Sequence, residues 1–215
     1  MKSLKAPITL VFLLILVDQT IKIWIKTTFA LGESLEIFPW FQLHLVENPG
    51  MAYGLQWGGI TGKYFLSIFR LLAILGISYY LWDIWKKGAR PAAIWGLSLV
   101  LAGAIGNVAD SLFYGLLFDR GLVYHAEAGR WLAYSGVAEW GSGYAPVLIG
   151  NVVDMFYFPL WKGTLPEWIP FKGGDYFIFF RPVFNFADSC VSIGILWLFF
   201  ASRHPYGWMS QPNDP

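Results

Sequence analysis

Four stretches of the chain consist almost entirely of apolar residues, and each is long enough to cross a lipid bilayer as a helix. They cover residues 7–28, 64–82, 92–118 and 183–202. A spanning helix needs about 20 apolar residues, because each residue rises about 1.5 Å through a hydrocarbon core about 30 Å thick. The pattern predicts an all-α polytopic membrane protein with four transmembrane helices in a single membrane-embedded domain, residues 1–215.

Basic residues between the spans predict how the chain is oriented. Lys86, Lys87 and Arg90 lie in the short connection between the second and third spans, whereas residues 29–63 contain one lysine, Lys63. Cytoplasmic loops carry an excess of Lys and Arg. We therefore expect cytoplasmic N and C termini, with the two longer connections outside.

The external connections show a different pattern. Residues 36–47 partly alternate and are rich in aromatic and β-branched side chains, and Asn48-Pro49-Gly50 is a turn signal. We predict two or three short strands within residues 33–57, forming a small β region on the outer face. Residues 119–182 are expected to form a long external loop, which is too long to lack structure of its own.

Composition supports the membrane class and excludes several functions. Charged residues make up 13% of the chain and hydrophobic residues 56%, whereas soluble domains have about 25% charged residues. A net charge of +1 without a basic stripe argues against nucleic acid as a partner. A single cysteine, Cys190, excludes an intrachain disulfide and a cysteine-based metal site, and scattered histidines without an H-E-x-x-H motif argue against a zinc peptidase.

Polar side chains interrupt the spans in their outer halves. An Asp at the centre of a span costs about 2.5 to 3.5 kcal/mol, so these groups must face one another, water or partners. Asp18 and Lys22 are spaced i,i+4, which predicts a structural ion pair. Asp110 lies one turn from Asn107, and the pair fits either a helix-packing hydrogen-bond network or a functional site. Arg70 is expected to snorkel, with contact to a lipid phosphate as the alternative.

Asp154 and Asp188 have no neighbouring base in the sequence. Two carboxyl groups at one site couple, so that one keeps a proton while the other ionises. Such a pair supplies a general base for water and a general acid for a leaving amine, which is sufficient to hydrolyse an amide. Two other hypotheses compete with amide hydrolysis. One is a proton-coupled carrier with a relay through Asp18, Asp110 and Asp188, and the other is a non-catalytic membrane scaffold. Nearly apolar inner halves of the spans argue against the carrier, and the cost of burying Asp188 argues against the scaffold.

Five short motifs, taken in order, resemble those of one family, lipoprotein signal peptidase (signal peptidase II), a bacterial inner-membrane aspartyl peptidase. They are Asp18-Gln19-Thr20-Ile21-Lys22 (D-Q-x-x-K), Asn48-Pro49-Gly50-Met51-Ala52-Tyr53-Gly54 (N-x-G-x-A-[FY]-G), Gly103-Ala104-Ile105-Gly106-Asn107-Val108-Ala109-Asp110 (G-[GA]-x-G-N-x-x-D), Asn151-Val152-Val153-Asp154-Met155-Phe156 (V-x-D-[FM]) and Phe184-Asn185-Phe186-Ala187-Asp188-Ser189 (F-N-x-A-D-[SA]).

The resemblance implies four transmembrane helices, a periplasmic β-cradle and a catalytic dyad of Asp154 and Asp188 at the periplasmic face of the inner membrane. It implies a diacylglyceryl-prolipoprotein substrate cut before the lipidated cysteine, contact with membrane lipid, no cofactor, and inhibition by globomycin-like cyclic peptides. Asp18 and Lys22 carry over as structural support. The positions expected to bind substrate or support the site are Asn48, Gly54, Asn107, Asp110, Asn151, Asn185 and Ala187.

This chain departs from the family pattern in two places. The commoner third motif continues D-R, whereas Ser111 follows Asp110 here. Arg120 and Arg181 are both candidates to replace that arginine. The connection from Asp110 to Asp154 is also unusually long, which fits a lid or docking element as well as it fits a tolerated insertion.

Overall fold

The computed structural model describes residues 4–50 and 58–203, and its helices follow the predicted apolar runs. The long helices are α1 (Lys5–Lys26), α2 (Gly59–Lys86), α3 (Pro91–Ala109) and α5 (Phe186–Ser202), and α3 continues through a π-helical turn (Asp110–Tyr114) into the short α4 (Gly115–Leu117). Among these residues, Lys5–Lys26, Gly59–Lys86 and Pro91–Leu117 are long and apolar enough to cross a membrane, and α5 is apolar but shorter. The architecture is that of a membrane protein.

The start of α5 differs from the sequence prediction. Residues 183–184 form a short strand, and the helix begins only at Phe186. Asn185 is the N-cap: its side chain accepts a hydrogen bond from the backbone N–H of Asp188, whose carboxylate accepts from the backbone N–H of Asn185. This capping box satisfies amide groups that the first turn leaves without partners. It also fixes Asp188 in that first turn.

Helix α3 lies between α1, α2 and α5 and packs most extensively on α5. Small residues allow this approach: a side chain at Gly103 would collide with the carbonyl group of Ala187, and a Cβ at Gly194 would lie 2.8 Å from the carbonyl oxygen of Gly96. Large apolar side chains such as Phe12, Leu75 and Phe200 remain exposed on the outside of the helices. Small residues inside and apolar residues outside are typical of helices that pack within lipid.

An antiparallel four-stranded sheet covers one end of the helices, in the order β1-β2-β5-β8. Its strands are β1 (Ser34–Phe38), β2 (Phe41–Asn48), β5 (Val152–Tyr157) and β8 (Val183–Phe184). Strands β1 and β2 lie where the alternating pattern predicted them, while residues 51–57 are outside the described part. The all-α class is too narrow, because β5 from the long loop and β8 directly after it complete the sheet.

The long loop is folded and packed against the rest of the protein. It forms two hairpins, β3 (Val123–His125) with β4 (Arg130–Leu132) and β6 (Trp161–Thr164) with β7 (Tyr176–Phe179). Two isolated bridges, Ala30 with Val137 and Phe118 with Trp140, join the segment between β4 and β5 to earlier parts of the chain. Ala138 and Phe118 belong to the hydrophobic core that also contains Ile25 and Leu45.

Candidate active site

Two carboxyl groups predicted to act together are joined by a single residue, Asn185. Asp154 lies on β5 opposite Val46 and is buried, and Asp188 lies in the first turn of α5 and is partly buried. The Nδ2 group of Asn185 donates to Oδ1 of Asp154 at 2.6 Å, and its backbone N–H donates to Oδ2 of Asp188 at 3.2 Å. The sheet and the helix therefore bring the two acids to one place.

Asn107 on α3 orients Asp188 from the other side. Its Nδ2 group donates to Oδ1 of Asp188 at 2.8 Å. Its Oδ1 atom accepts from Asn185 at 3.0 Å and from Nζ of Lys22 at 3.0 Å. Since the amide accepts from two donors, its Nδ2 group is directed at Asp188, which fixes that carboxylate.

A buried ion-pair network next to the two acids supports this arrangement. Lys22 lies 3.0 Å from Asp18 and 2.8 Å from Asp110, and all three side chains are almost fully buried. Asp110 accepts a hydrogen bond from the backbone N–H of Val153, and Asp18 accepts one from the backbone N–H of Ala187. The network therefore fixes β5 next to Asp154 and α5 next to Asp188, and it connects the predicted residues Asp18, Asp110 and Ala187 to Lys22.

The environment of Asp154 favours its protonated form. Burial and, after it, the charge of Asp188 raise the pKa of Asp154 to about 8, while the hydrogen bond from Asn185 acts in the opposite direction. A carboxyl group with this pKa holds its proton at neutral pH, next to a second carboxyl group. That combination can supply a general acid and a general base.

The remaining predicted residues have other positions. Asn151 is buried, and its Nδ2 group donates to Oε2 of Glu47 at 3.0 Å and to the carbonyl oxygen of Leu122 at 2.9 Å. Asn48 ends β2, and its Oδ1 atom accepts from the backbone N–H of Gly50 at 2.8 Å. Gly54 lies outside the described residues. Asn151 thus supports the neighbouring loop rather than contacting either acid.

Glu47 is a buried residue that the sequence did not single out. It forms an ion pair with Lys26 and accepts hydrogen bonds from Tyr134 at 2.7 Å and from the backbone N–H of Leu122 at 2.9 Å. Burial, followed by the charge of Glu47, raises the pKa of Tyr134. The sequence held one signal for a buried partner of Lys26: Lys22 and Lys26 are four residues apart and therefore lie on one face of α1.

Two basic residues of α2, Lys63 and Arg70, have donor atoms buried inside the protein. Lys63 is 3% exposed, and neither its Nζ atom nor Nη1 of Arg70 has a hydrogen-bond partner among the residues described. The charges of Asp188, Asp110 and Asp154 act on the guanidinium group of Arg70. The expectation that Arg70 snorkels to the surface is wrong for Nη1, which is buried inside the protein.

Neither of the two arginines proposed to replace the family arginine contacts Asp154 or Asp188 among the described residues. Arg120 bonds to Asp119 through Nε at 2.7 Å and to the carbonyl oxygen of Ser135 at 2.9 Å. Arg181 is exposed. Within residues 4–50 and 58–203, no group of three or more His, Cys, Asp and Glu side chains is arranged to hold a metal ion.

Comparison with known proteins identifies the class as an aspartic endopeptidase. Residues 10–203 match the family model Peptidase_A8, described as signal peptidase (SPase) II. The match covers every acidic residue of the site. The chain therefore belongs to the signal peptidase II family, as the five motifs indicated, and this favours the peptidase over the carrier and scaffold hypotheses.

Individual relatives agree with the family match. The lipoprotein signal peptidase of Porphyromonas gingivalis is 48% identical over 195 residues, which cover 90% of this chain and 81% of that protein. The lipoprotein signal peptidase of Amoebophilus asiaticus is 34% identical over 187 residues, covering 85% and 71%. A solved structure of a bacterial membrane enzyme has a TM-score of 0.55 at 20% identity and covers 93% of this chain and 94% of its own. That structure supports the fold.

Proposed function

We propose that the protein removes the signal peptide from diacylglyceryl-modified prolipoproteins, cutting before the lipidated cysteine, with Asp154 and Asp188 as the catalytic dyad. The observation that carries the dyad is Asn185, whose side chain and backbone bond to both carboxyl groups. The raised pKa of Asp154 supports an acid role for it. The substrate class rests on the family and on the relatives.

The dyad divides hydrolysis into two proton transfers. Asp188 takes a proton from a water molecule, whose oxygen bonds to the scissile carbonyl carbon. Asp154 gives its proton to the leaving nitrogen as the C–N bond breaks, and the products are an amine and a carboxylic acid, which releases its proton to water. The proton on Asp188 then returns to Asp154, which restores the dyad. Each transfer contributes about 10²- to 10⁴-fold to the rate. Asn107 and Asn185 keep the two carboxyl groups in position throughout.

The proposed setting is the bacterial inner membrane, with α5 as a fourth span in one membrane-embedded domain. In this arrangement both termini are cytoplasmic, and the sheet and the dyad lie at the periplasmic face. The position of Asp188 in the first turn of α5, beside β5 of the sheet, supports a site at the membrane surface. Lipid would surround the exposed apolar side chains of α1 and α2. We expect globomycin-like cyclic peptides to compete with the substrate.

Asparagine variants of the two acids test the dyad. Asp154→Asn and Asp188→Asn preserve shape but remove the acid and the base, so each should lose at least about 10²-fold in kcat with a lipidated prolipoprotein in detergent. Asp83→Asn is the matched control, because Asp83 forms an exposed pair with Lys87 near the end of α2. Substantial cleavage by either acid variant, with an unchanged melting temperature, would contradict the proposal.

A further inference from the structure

We propose that Arg70 is a substrate-binding residue, whose Nη1 group donates a hydrogen bond to the carbonyl oxygen of the peptide bond being cut. The inference rests on the proposed function and adds to it a residue outside the five motifs. It assigns α2 a direct part in binding the peptide.

The side of α2 that carries Arg70 faces the interior of the protein. Lys63, Ser67 and Arg70 are spaced by four and three residues, so they lie on one face of the helix. Ser67 is buried, and its Oγ atom donates to the carbonyl oxygen of Leu148 at 2.7 Å. On other faces of the same turns, Phe65 and Phe69 are 65% and 59% exposed. The Lys63–Arg70 face is therefore the inward face of α2.

Each of the two basic side chains on this face has a buried donor atom without a hydrogen-bond partner among the described residues. Nζ of Lys63 and Nη1 of Arg70 are buried, and neither makes a hydrogen bond in the described part of the chain. A buried, unpaired donor is costly, and a charged one is more so. Native structures satisfy nearly all such groups, so the exceptions indicate a missing partner. A ligand that accepts hydrogen bonds would supply it.

The surrounding charges identify the chemistry of that ligand. Asp188 has the largest effect of the three acids that act on Arg70, and Lys63 places a second buried nitrogen donor on the same face of α2. Asp188 already accepts hydrogen bonds from Asn107 and Asn185, and Arg70 forms no ion pair with it among the described residues. The charges of both dyad acids therefore act on the guanidinium group, whose buried Nη1 atom has no partner of its own among the described residues. A peptide carbonyl oxygen bound against the dyad would meet these donors.

The reaction itself makes this contact stronger. When water adds to the carbonyl carbon, the carbonyl oxygen becomes negative, and the C–N cleavage leaves a carboxylate. A preorganised donor aimed at such an oxygen is worth about 10²- to 10³-fold in kcat. A guanidinium group stays charged at all relevant pH values and presents several donors in a fixed geometry.

Three variants of Arg70 test the proposal in the full-length protein. We expect Arg70→Gln to lower kcat/KM by about 10²-fold or more, with the melting temperature unchanged. Arg70→Lys should recover part of the loss, and millimolar guanidinium should raise the activity of Arg70→Ala. The matched control is Lys87→Gln, which removes a mostly exposed cation from the end of α2.

Binding is measured separately from cleavage. With Asp188→Asn as the background, Arg70→Gln should weaken the affinity for a fluorescent lipidated prolipoprotein, measured by anisotropy. A kcat/KM within about threefold of wild type for Arg70→Gln would overturn the proposal. A loss that accompanies a lower melting temperature and is not reversed by guanidinium would also overturn it. If instead the Asp154→Asn and Asp188→Asn variants cleave, the dyad itself fails, which these binding data distinguish from a failure at Arg70.

Discussion

Asn185 shows how much of the site depends on one residue. Its side chain caps α5, bonds to Asp154 and bonds to Asn107, while its backbone N–H binds Asp188. These contacts use both ends of the amide, so they also determine its orientation. A single asparagine thereby couples the start of a helix to the central strand of the sheet.

The pKa of Asp154 predicts how activity depends on pH. The acid must be protonated to donate, and its pKa is raised to about 8. Activity should therefore fall above about pH 8, approaching tenfold per pH unit. A pH–rate profile of kcat/KM checks this limb. Activity that is constant up to about pH 10 would exclude Asp154 as the general acid.

The stability of the protein should also depend on the protonation of Asp154, because its pKa differs between the folded and the unfolded chain. The folded protein keeps a proton on Asp154 that an unfolded Asp releases, so this contribution to the free energy of unfolding is present at low pH and is lost as pH rises through about 8. Melting temperatures at about pH 6 and about pH 9 should therefore differ more for wild type than for Asp154→Asn.

At the scale of elements, Lys22 joins α1 to α3, β5 and α5. It pairs directly with Asp18 and Asp110, and those acids bind the backbone N–H groups of Ala187 and Val153. One charge on α1 therefore organises contacts of three other elements. A buried pair is costly to break, because the remaining partner keeps an uncompensated charge.

Replacing this lysine should destabilise the whole bundle. Lys22→Met keeps the approximate volume but leaves two buried acids without a cation, so we expect a loss of about 3–5 kcal/mol in the free energy of unfolding. Lys87→Met is a matched control: Lys87 and Asp83 have the same i,i+4 spacing on an exposed surface, where such pairs are worth about 0–1 kcal/mol. Equal losses in denaturant unfolding in detergent would show that the Lys22 pairs are not structurally important.

At the scale of the whole molecule, Glu47 attaches the insertion of residues 119–150 to the helices. Lys26, Tyr134, Asn151 and the backbone N–H of Leu122 all contact its carboxylate. These contacts hold the insertion against the helices, and they fit both possibilities left open for it, a lid or docking element and a tolerated insertion.

Glu47→Gln should loosen the insertion. The change removes the charge opposite the buried Lys26, so local opening should become easier and trypsin should cut at Arg120 or Arg130 about tenfold faster. Glu36→Gln on the exposed strand β1 is the control. An unchanged rate would mean that apolar packing around Phe118 and Ala138 is sufficient to hold the segment.

Sequence patterns that repeat over a few residues were informative about this protein. The apolar runs predicted α1, α2 and the α3 segment to within a few residues, except that α2 extends further at both ends. The partial alternation predicted β1 and β2. The start of α5 was placed too early, because Val183 and Phe184 are as apolar as the helix but pair with β5 instead.

Contacts between residues far apart in the sequence could not be predicted from such local patterns. Strand β5 was not predicted, because a buried strand has no alternation to distinguish it from other apolar runs. The Lys26–Glu47 pair was not predicted, and Arg70 was expected to snorkel. Each became visible only when burial could be measured.

The amino-acid sequence by itself determined which segments are apolar, which residues can carry acid–base chemistry, and which family the chain resembles. All of these depend on residue type and local spacing. The tertiary structure decided which side chains meet, as when the backbone N–H of Ala187 binds Asp18 across 169 positions of the chain. Such pairings depend on the packing of whole helices and strands, and packing is a property of the entire folded chain.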